Sequence, residues 1–232
     1  MTESVPAARP GRAVSVPALA GLAALVTGAA VLGVLHVLPS SAGVDPVRDT
    51  ISEYVYGPDR WLFHTAVVLV ALGSACAFAT MVGRALVRPV SAATVFAALW
   101  VAGLVAVVVF PKTDWSVGPS LAGTIHRYAS VVAFASLPLA VWSAAGAVYP
   151  TAARPRRTAR LLALASLAWL GIVAGAVVVM LFGGEPWWRS IPLGLVERLL
   201  AATEVLAIGS LLPGLLRVDD LTSSEADPLV PC

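Results

Sequence analysis

The stretch Asp45-Pro-Val-Arg-Asp-Thr-Ile-Ser-Glu-Tyr-Val-Tyr-Gly-Pro-Asp-Arg60 holds four carboxylates and two arginines between two long apolar runs. The chain around it is 232 residues long, 59% hydrophobic and 12% charged, against about 25% charged residues in a soluble domain. The flanking runs are about 20 residues long, the length an α-helix needs to cross a bilayer. A charged loop between two such runs reads as the water-facing connection of a helical hairpin. The chain is therefore expected to be all-α and polytopic.

Working outward from this loop, the apolar runs predict six transmembrane helices at about 16–38, 61–82, 90–110, 125–148, 161–182 and 193–216. Together they make one six-helix bundle over 16–216. The first apolar run exceeds the roughly 7–15 residues of a signal-peptide core, so it is read as a retained span. Residues 1–15 and 217–232 are expected to be disordered cytoplasmic ends. Orientation follows from Lys and Arg. With both termini cytoplasmic, nine basic residues lie inside, four of them in the cluster Arg154 to Arg160, and six lie outside. Eight of the 13 acids fall outside or within the spans. The expected location is the cell (plasma) membrane, multi-pass. Trp61, Trp115, Trp187 and Trp188 fall at the outer boundary, where amphipathic rings settle.

Several chemistries have no support in these residues. Cys76 and Cys232 offer neither a disulfide framework nor metal-ligand spacing. His36, His64 and His126 lack HxxxH or HxxE spacing, so no metal and no cofactor is expected. No phosphate loop or nucleophile elbow occurs. The basic residues form no coherent soluble face, which argues against nucleic acid as a partner. Membrane lipids are the expected partners. The oligomeric state is open, and the Gly171-Ile-Val-Ala-Gly175 match is read as ordinary packing within the bundle.

Three outer loops each lead into an even-numbered span, and Gly123-Thr-Ile-His-Arg127 resembles Gly194-Leu-Val-Glu-Arg198. Helix N-termini with an adjacent arginine favour an anion. Arg127 and Arg198 are thus candidate ligands for an anionic head group, with His36, His64, Asp49, Ser52 and Glu53 beside them. Glu204 lies about 16 Å into the sixth span at 1.5 Å per residue. A charge near mid-bilayer costs on the order of 2.5–3.5 kcal/mol, so it should face a bundle interior or cavity. Glu197, seven residues earlier, shares its helix face. His126, Glu197 and Glu204 are the candidate acid/base residues.

The loop motif Asp-Pro-Val-Arg-Asp-Thr-Ile-Ser-Glu-Tyr54, the exit Phe110-Pro-Lys-Thr-Asp114, the His126 motif and Gly-Leu-Val-Glu-Arg198 together resemble DUF998, a bacterial family of unknown function. The resemblance runs from the first span to the sixth. It implies a six-span integral membrane fold with no assigned activity, and carries over only the motif positions Asp49, Ile51, Ser52, Pro111, His126 and Arg198. A weaker resemblance is to the alkaline ceramidases, whose paired-histidine pattern this chain lacks.

These readings predict an extracytoplasmic polar pocket, capped by the first loop and walled by His36, His64, His126, Arg127, Glu197 and Glu204. It is expected to bind an amphipathic lipid or isoprenoid with an anionic head. The alternatives are a membrane-embedded acid/base enzyme on a lipid or isoprenoid substrate, a small proton-coupled transporter, and a structural membrane subunit.

Overall fold

The computed structural model describes residues 15–216. The two expected disordered ends therefore lie outside the described residues, apart from Ser15. The helices are α1 (Val16–Leu35), α2 (Arg60–Gly83), α3 (Ala92–Val109), α4 (Leu121–Val148), α5 (Ala153–Leu181), α6 (Trp187–Ser190), α7 (Leu193–Gly209) and α8 (Leu212–Leu216). Six segments are long and apolar enough to cross a membrane, with α7 and α8 counted together as the sixth. The protein is a multi-pass, all-helical membrane protein. An even number of spans leaves Ser15 and Leu216 at the same end, where the Ser15 amide donates to the Leu216 carbonyl at 3.2 Å.

Helix limits differ from the hydropathy reading where local chemistry extends or ends a helix. Ser120 caps α4 by accepting from the Gly123 amide at 3.0 Å, so α4 begins four residues early and His126 sits in its second turn. α5 begins at Ala153, which carries Arg154, Arg156, Arg157 and Arg160 into its first turns instead of a loop. Arginine is a good helix former, and hydropathy does not register that. The sixth span breaks at Ser210–Leu211, because the ring of Pro213 conflicts with helical geometry at the carbonyl of Gly209. Tyr149, at the end of α4, mends the break: its hydroxyl donates to the Ser210 carbonyl at 2.7 Å and accepts from the Gly214 amide at 3.1 Å.

Hydrocarbon offers no hydrophobic drive for helix association, so close approach depends on small residues. α1 and α2 cross at Gly21 and Gly73, where a Cβ on Gly73 would come within 2.8 Å of the Gly21 carbonyl oxygen. α3 and α4 meet at Gly103, where a Cβ would reach the Ala129 carbonyl oxygen at 2.8 Å. α5 packs on α7 and α4, and α7 closes the bundle against α4, α1 and α2.

Packing quality divides the bundle across its width. The large core cluster, including Ala18, Phe78, Leu137, Val141, Ala163 and Leu212, lies in the half nearer the termini. At the loop end the buried cluster shrinks to Leu35, Ile51, Tyr54, Phe63 and Val107. Between the two the helices enclose empty space.

Candidate functional site

Residues 45–59 fold down over the loop end as a lid. Asp45 forms an Asx-turn, accepting from the Val47 amide at 2.8 Å, and its own amide donates to the Asp49 carboxylate at 2.8 Å. Two 3-10 segments, Pro39–Ser41 and Ile51–Tyr56, lend the connection regular geometry. The lid is then stitched to the start of α7. The Leu195 amide donates to the Val47 carbonyl at 3.1 Å, and the Ile51 amide donates to Glu197 Oε2 at 2.9 Å. Gly194 permits the approach, since a Cβ there would collide with the Asp49 carbonyl oxygen.

Arg198 completes this seam. Its Nε donates to His36 Nε2 at 2.8 Å, one terminal nitrogen donates to the Asp49 and Gly194 carbonyls at 2.6 and 3.0 Å, and the other to the Tyr54 hydroxyl at 3.4 Å. The guanidinium also lies over the Tyr54 ring, 5.8 Å from its centroid. These bonds settle the tautomer of His36. A guanidinium can only donate, so Nε2 carries a lone pair, and Nδ1 carries the proton it donates to the Leu32 carbonyl at 2.7 Å. Burial is the largest influence on His36 and lowers its pKa below 6.5; the charge of Arg198 acts the same way, and the Leu32 hydrogen bond opposes both. The forked geometry thus joins α1, the lid and α7. Arg198 borders the inner cavity, but protein acceptors occupy its fork, so its place is that of a clamp.

The other edge of the lid is held by the α3–α4 connection. Lys112 pairs with Glu53 and donates to Thr50 Oγ1 at 2.9 Å, and the Tyr56 hydroxyl donates to the Lys112 carbonyl at 3.3 Å. His126 Nδ1 donates to the Phe110 carbonyl at 2.9 Å, which ties the end of α3 to α4. A Cβ at Gly123 would overlap Thr113 Oγ1, so this connection also needs glycine to seat.

Beneath and beside the lid lie two cavities. The inner one, about 500 Å³, is walled by apolar residues of α1, α2, α3, α4 and α7, such as Gly28, Val70, Trp100, Leu104 and Val205. Its polar residues are His36, Ser52, His126, Ser130, Glu197 and Arg198, toward the lid. The outer one, about 800 Å³, is bordered by Arg48, Lys112, Arg127 and Arg189 with Trp115, Trp187 and Trp188. Ser52, His126, Ser130, Phe134 and Glu197 line both cavities and stand between them. Arg127 lies over Trp115, 5.3 Å from the ring centroid. Among the described residues, no carboxylate comes within ion-pair distance of the Arg48, Arg127 or Arg189 side chains. The guanidinium groups of Arg48, Arg127 and Arg189 thus lack ion-pair partners, in a cavity that Asp49, Glu53 and Glu197 also line.

The structure brings together His36, Asp49, Ser52, Glu53, His126, Arg127, Glu197 and Arg198 around these cavities. It leaves out two expected members. His64 is half-buried beside Phe63, with ring centroids 5.7 Å apart, and lines neither cavity. Glu204 is fully buried, lines neither cavity, and neither carboxyl oxygen has a hydrogen-bond partner among the described residues. The inner cavity follows Ala201, Ala202 and Val205 along α7, a face rotated from that of Glu204. Thr203 does not relieve Glu204, since its hydroxyl accepts from Ser166 at 3.0 Å and donates to the carbonyls behind it. Among the described residues no three His, Cys, Asp or Glu side chains group to hold a metal ion.

Sequence reasoning passed over Tyr54, Lys112, Ser130 and Arg189. Tyr54 had a local signal, falling three residues after Ile51 in a stretch that turns once every three. Lys112 stood within the Phe110-Pro-Lys-Thr-Asp114 motif, whereas Ser130 and Arg189 had no such signal, because tertiary approach alone makes them neighbours. A family model described as "Protein of unknown function (DUF998)" matches residues 22–212. No curated protein and no solved structure matches the chain.

Proposed function

The chain belongs to the DUF998 family, whose description assigns no activity, and from the site we propose that it binds an amphipathic lipid or isoprenoid with an anionic head. The observation that carries this reading is a pair of adjacent cavities, one almost wholly apolar and one rimmed by arginine and tryptophan, that share five lining residues. An apolar tail in the inner cavity would be shielded by Val70, Leu104 and Val205, and an anionic head would meet Arg127 and Arg189 in the outer one. Guanidinium forks suit phosphate and carboxylate groups, and those of Arg127 and Arg189 are not engaged by protein acids. Binding sites of about 300–1,000 Å³ that are mostly apolar with a few polar anchors are typical for small ligands. The Lys and Arg distribution supports a site that opens away from the cytosol.

Mass spectrometry of lipids carried by the purified protein tests the reading. Wild type should retain an anionic lipid in a fixed ratio, and the Arg127→Ala/Arg189→Ala variant should lose most of it. Identical lipid content in the two proteins would refute it.

The residues shared by the two cavities support a second reading, catalysis on the bound lipid. His126 and Glu197, a base and an acid, both line the two cavities, where head and tail would meet. Under this reading, a His126→Gln variant in the native membrane carries a lipid of different mass from that on wild type. Equal masses would leave binding alone.

A further inference from the structure

The ligand of the proposed site needs a way in, and the lid is the obvious candidate. Yet residues 45–56 are bonded to α7 through Val47, Asp49 and Ile51, and to the α3–α4 connection through Thr50, Glu53 and Tyr56. Opening from the water side breaks all of these together. The side wall is different.

α4 and α5 are held together near the termini, where Arg160 lies over Trp142, 5.1 Å from the ring centroid, and Ala159, Ala163 and Ser166 are buried. Toward the lid the pair opens. Beyond Ser166 only Ala176 of α5 is buried, and a Cβ added to Gly171 or Gly175 would meet nothing within 4 Å. The Gly171–Gly175 pair therefore does not serve packing inside the bundle. The outer cavity extends down this split, between Val131 and Phe134 of α4 and Leu170 and Val173 of α5. Val131, 51% exposed, lies ten residues into α4, and so about 15 Å below its start at 1.5 Å per residue. The cavity thus reaches hydrocarbon depth with apolar lips. At its upper rim stand Arg127, Arg189 and Trp188, a charge and aromatic pairing suited to the head-group level.

We propose that the cleft between α4 and α5 is a lateral portal, through which an anionic lipid of the adjoining leaflet slides into the cavities while the lid stays shut. The inference rests on the binding reading above and adds the source of the ligand: the bilayer, not the aqueous phase. Charge complementarity selects the head, and the apolar lips allow the chains to remain in hydrocarbon throughout the passage.

The test uses the full chain in phosphatidylcholine nanodiscs, with Cys76→Ala and Cys232→Ala as background and Val131→Cys/Val173→Cys as the closing pair. A bifunctional methanethiosulfonate, reversible by dithiothreitol, bridges the pair across the cleft. Uptake and release of deuterated phosphatidylglycerol are followed by native mass spectrometry. The bridged protein should exchange the lipid at least about tenfold more slowly, and reduction should restore the rate. A Val131→Trp variant, placed at an exposed position and so without effect on the core, should slow exchange without chemistry. Unchanged exchange in both closed forms, with lipid still bound, would overturn the portal and leave the binding site standing. Failure of every form, wild type included, to hold phosphatidylglycerol above its phosphatidylcholine background would remove the binding reading and the portal with it.

Discussion

Replacing Arg198 by lysine separates the geometry of its fork from its charge. Arg198 donates four hydrogen bonds, to His36, the Asp49 and Gly194 carbonyls, and Tyr54. Lysine keeps the positive charge on a shorter, unbranched stem and reaches one or two of these acceptors at once. Two or three bonds are lost, at a net cost of about 1 kcal/mol each. The half-buried Nε2 of His36 is also left without a donor. The expected loss is about 2–3 kcal/mol, or roughly 4–12 °C in Tm at about 2–4 °C per kcal/mol for a chain of this size. Thermal unfolding in mild detergent, followed by tryptophan fluorescence, measures it. Because net charge is unchanged, a shift of this size belongs to the lost fork. An Arg198→Lys protein within about 0.5 kcal/mol of wild type, the range of an ordinary surface change, would refute the clamp and return Arg198 to the ligand.

Four further outcomes are expected. Since the folded pKa of His36 lies below its usual 6.5, its contribution to stability is complete above pH 6.5 and is lost as pH falls through the folded value; Tm should decline as pH is lowered below 6.5, and less steeply in His36→Gln, which accepts from Arg198 without titrating. Gly194→Ala puts a Cβ into the Asp49 carbonyl and should loosen the lid, read as faster tryptic cleavage after the exposed Arg48. Tyr149→Phe removes the hydroxyl that bridges Ser210 and Gly214 and should cost about 1–3 kcal/mol by the same thermal assay. Glu204→Met replaces a buried carboxyl without a partner and should raise stability by about 1–3 kcal/mol, with lipid content unchanged because Glu204 lines neither cavity.

Hydropathy and loop chemistry carried the fold class, because spanning a bilayer is a local demand on length and polarity. Six segments met it, and the stretch from Asp45 to Arg60 stood out as the polar feature around which the site forms. The residues Asp49, Ser52, His126, Arg127, Glu197 and Arg198 were readable as a group, since charged or polar side chains near span ends are few. Their roles were not. Arg198 and Arg127 look alike after Gly-x-Val and Gly-x-Ile, yet one is held by four acceptors and the other faces an open cavity. Glu204 follows Glu197 on the same helix face, yet one borders both cavities and the other is sealed in packing. Those outcomes depend on how each helix is rotated and how far apart neighbours stand. Contacts distant in sequence set both: Gly21 on Gly73, Gly103 on Ala129, Tyr149 on the break before α8. Where such contacts draw helices together the half nearer the termini is solid. Where α5 leaves α4 the space stays open, and no one helix's sequence carries that separation.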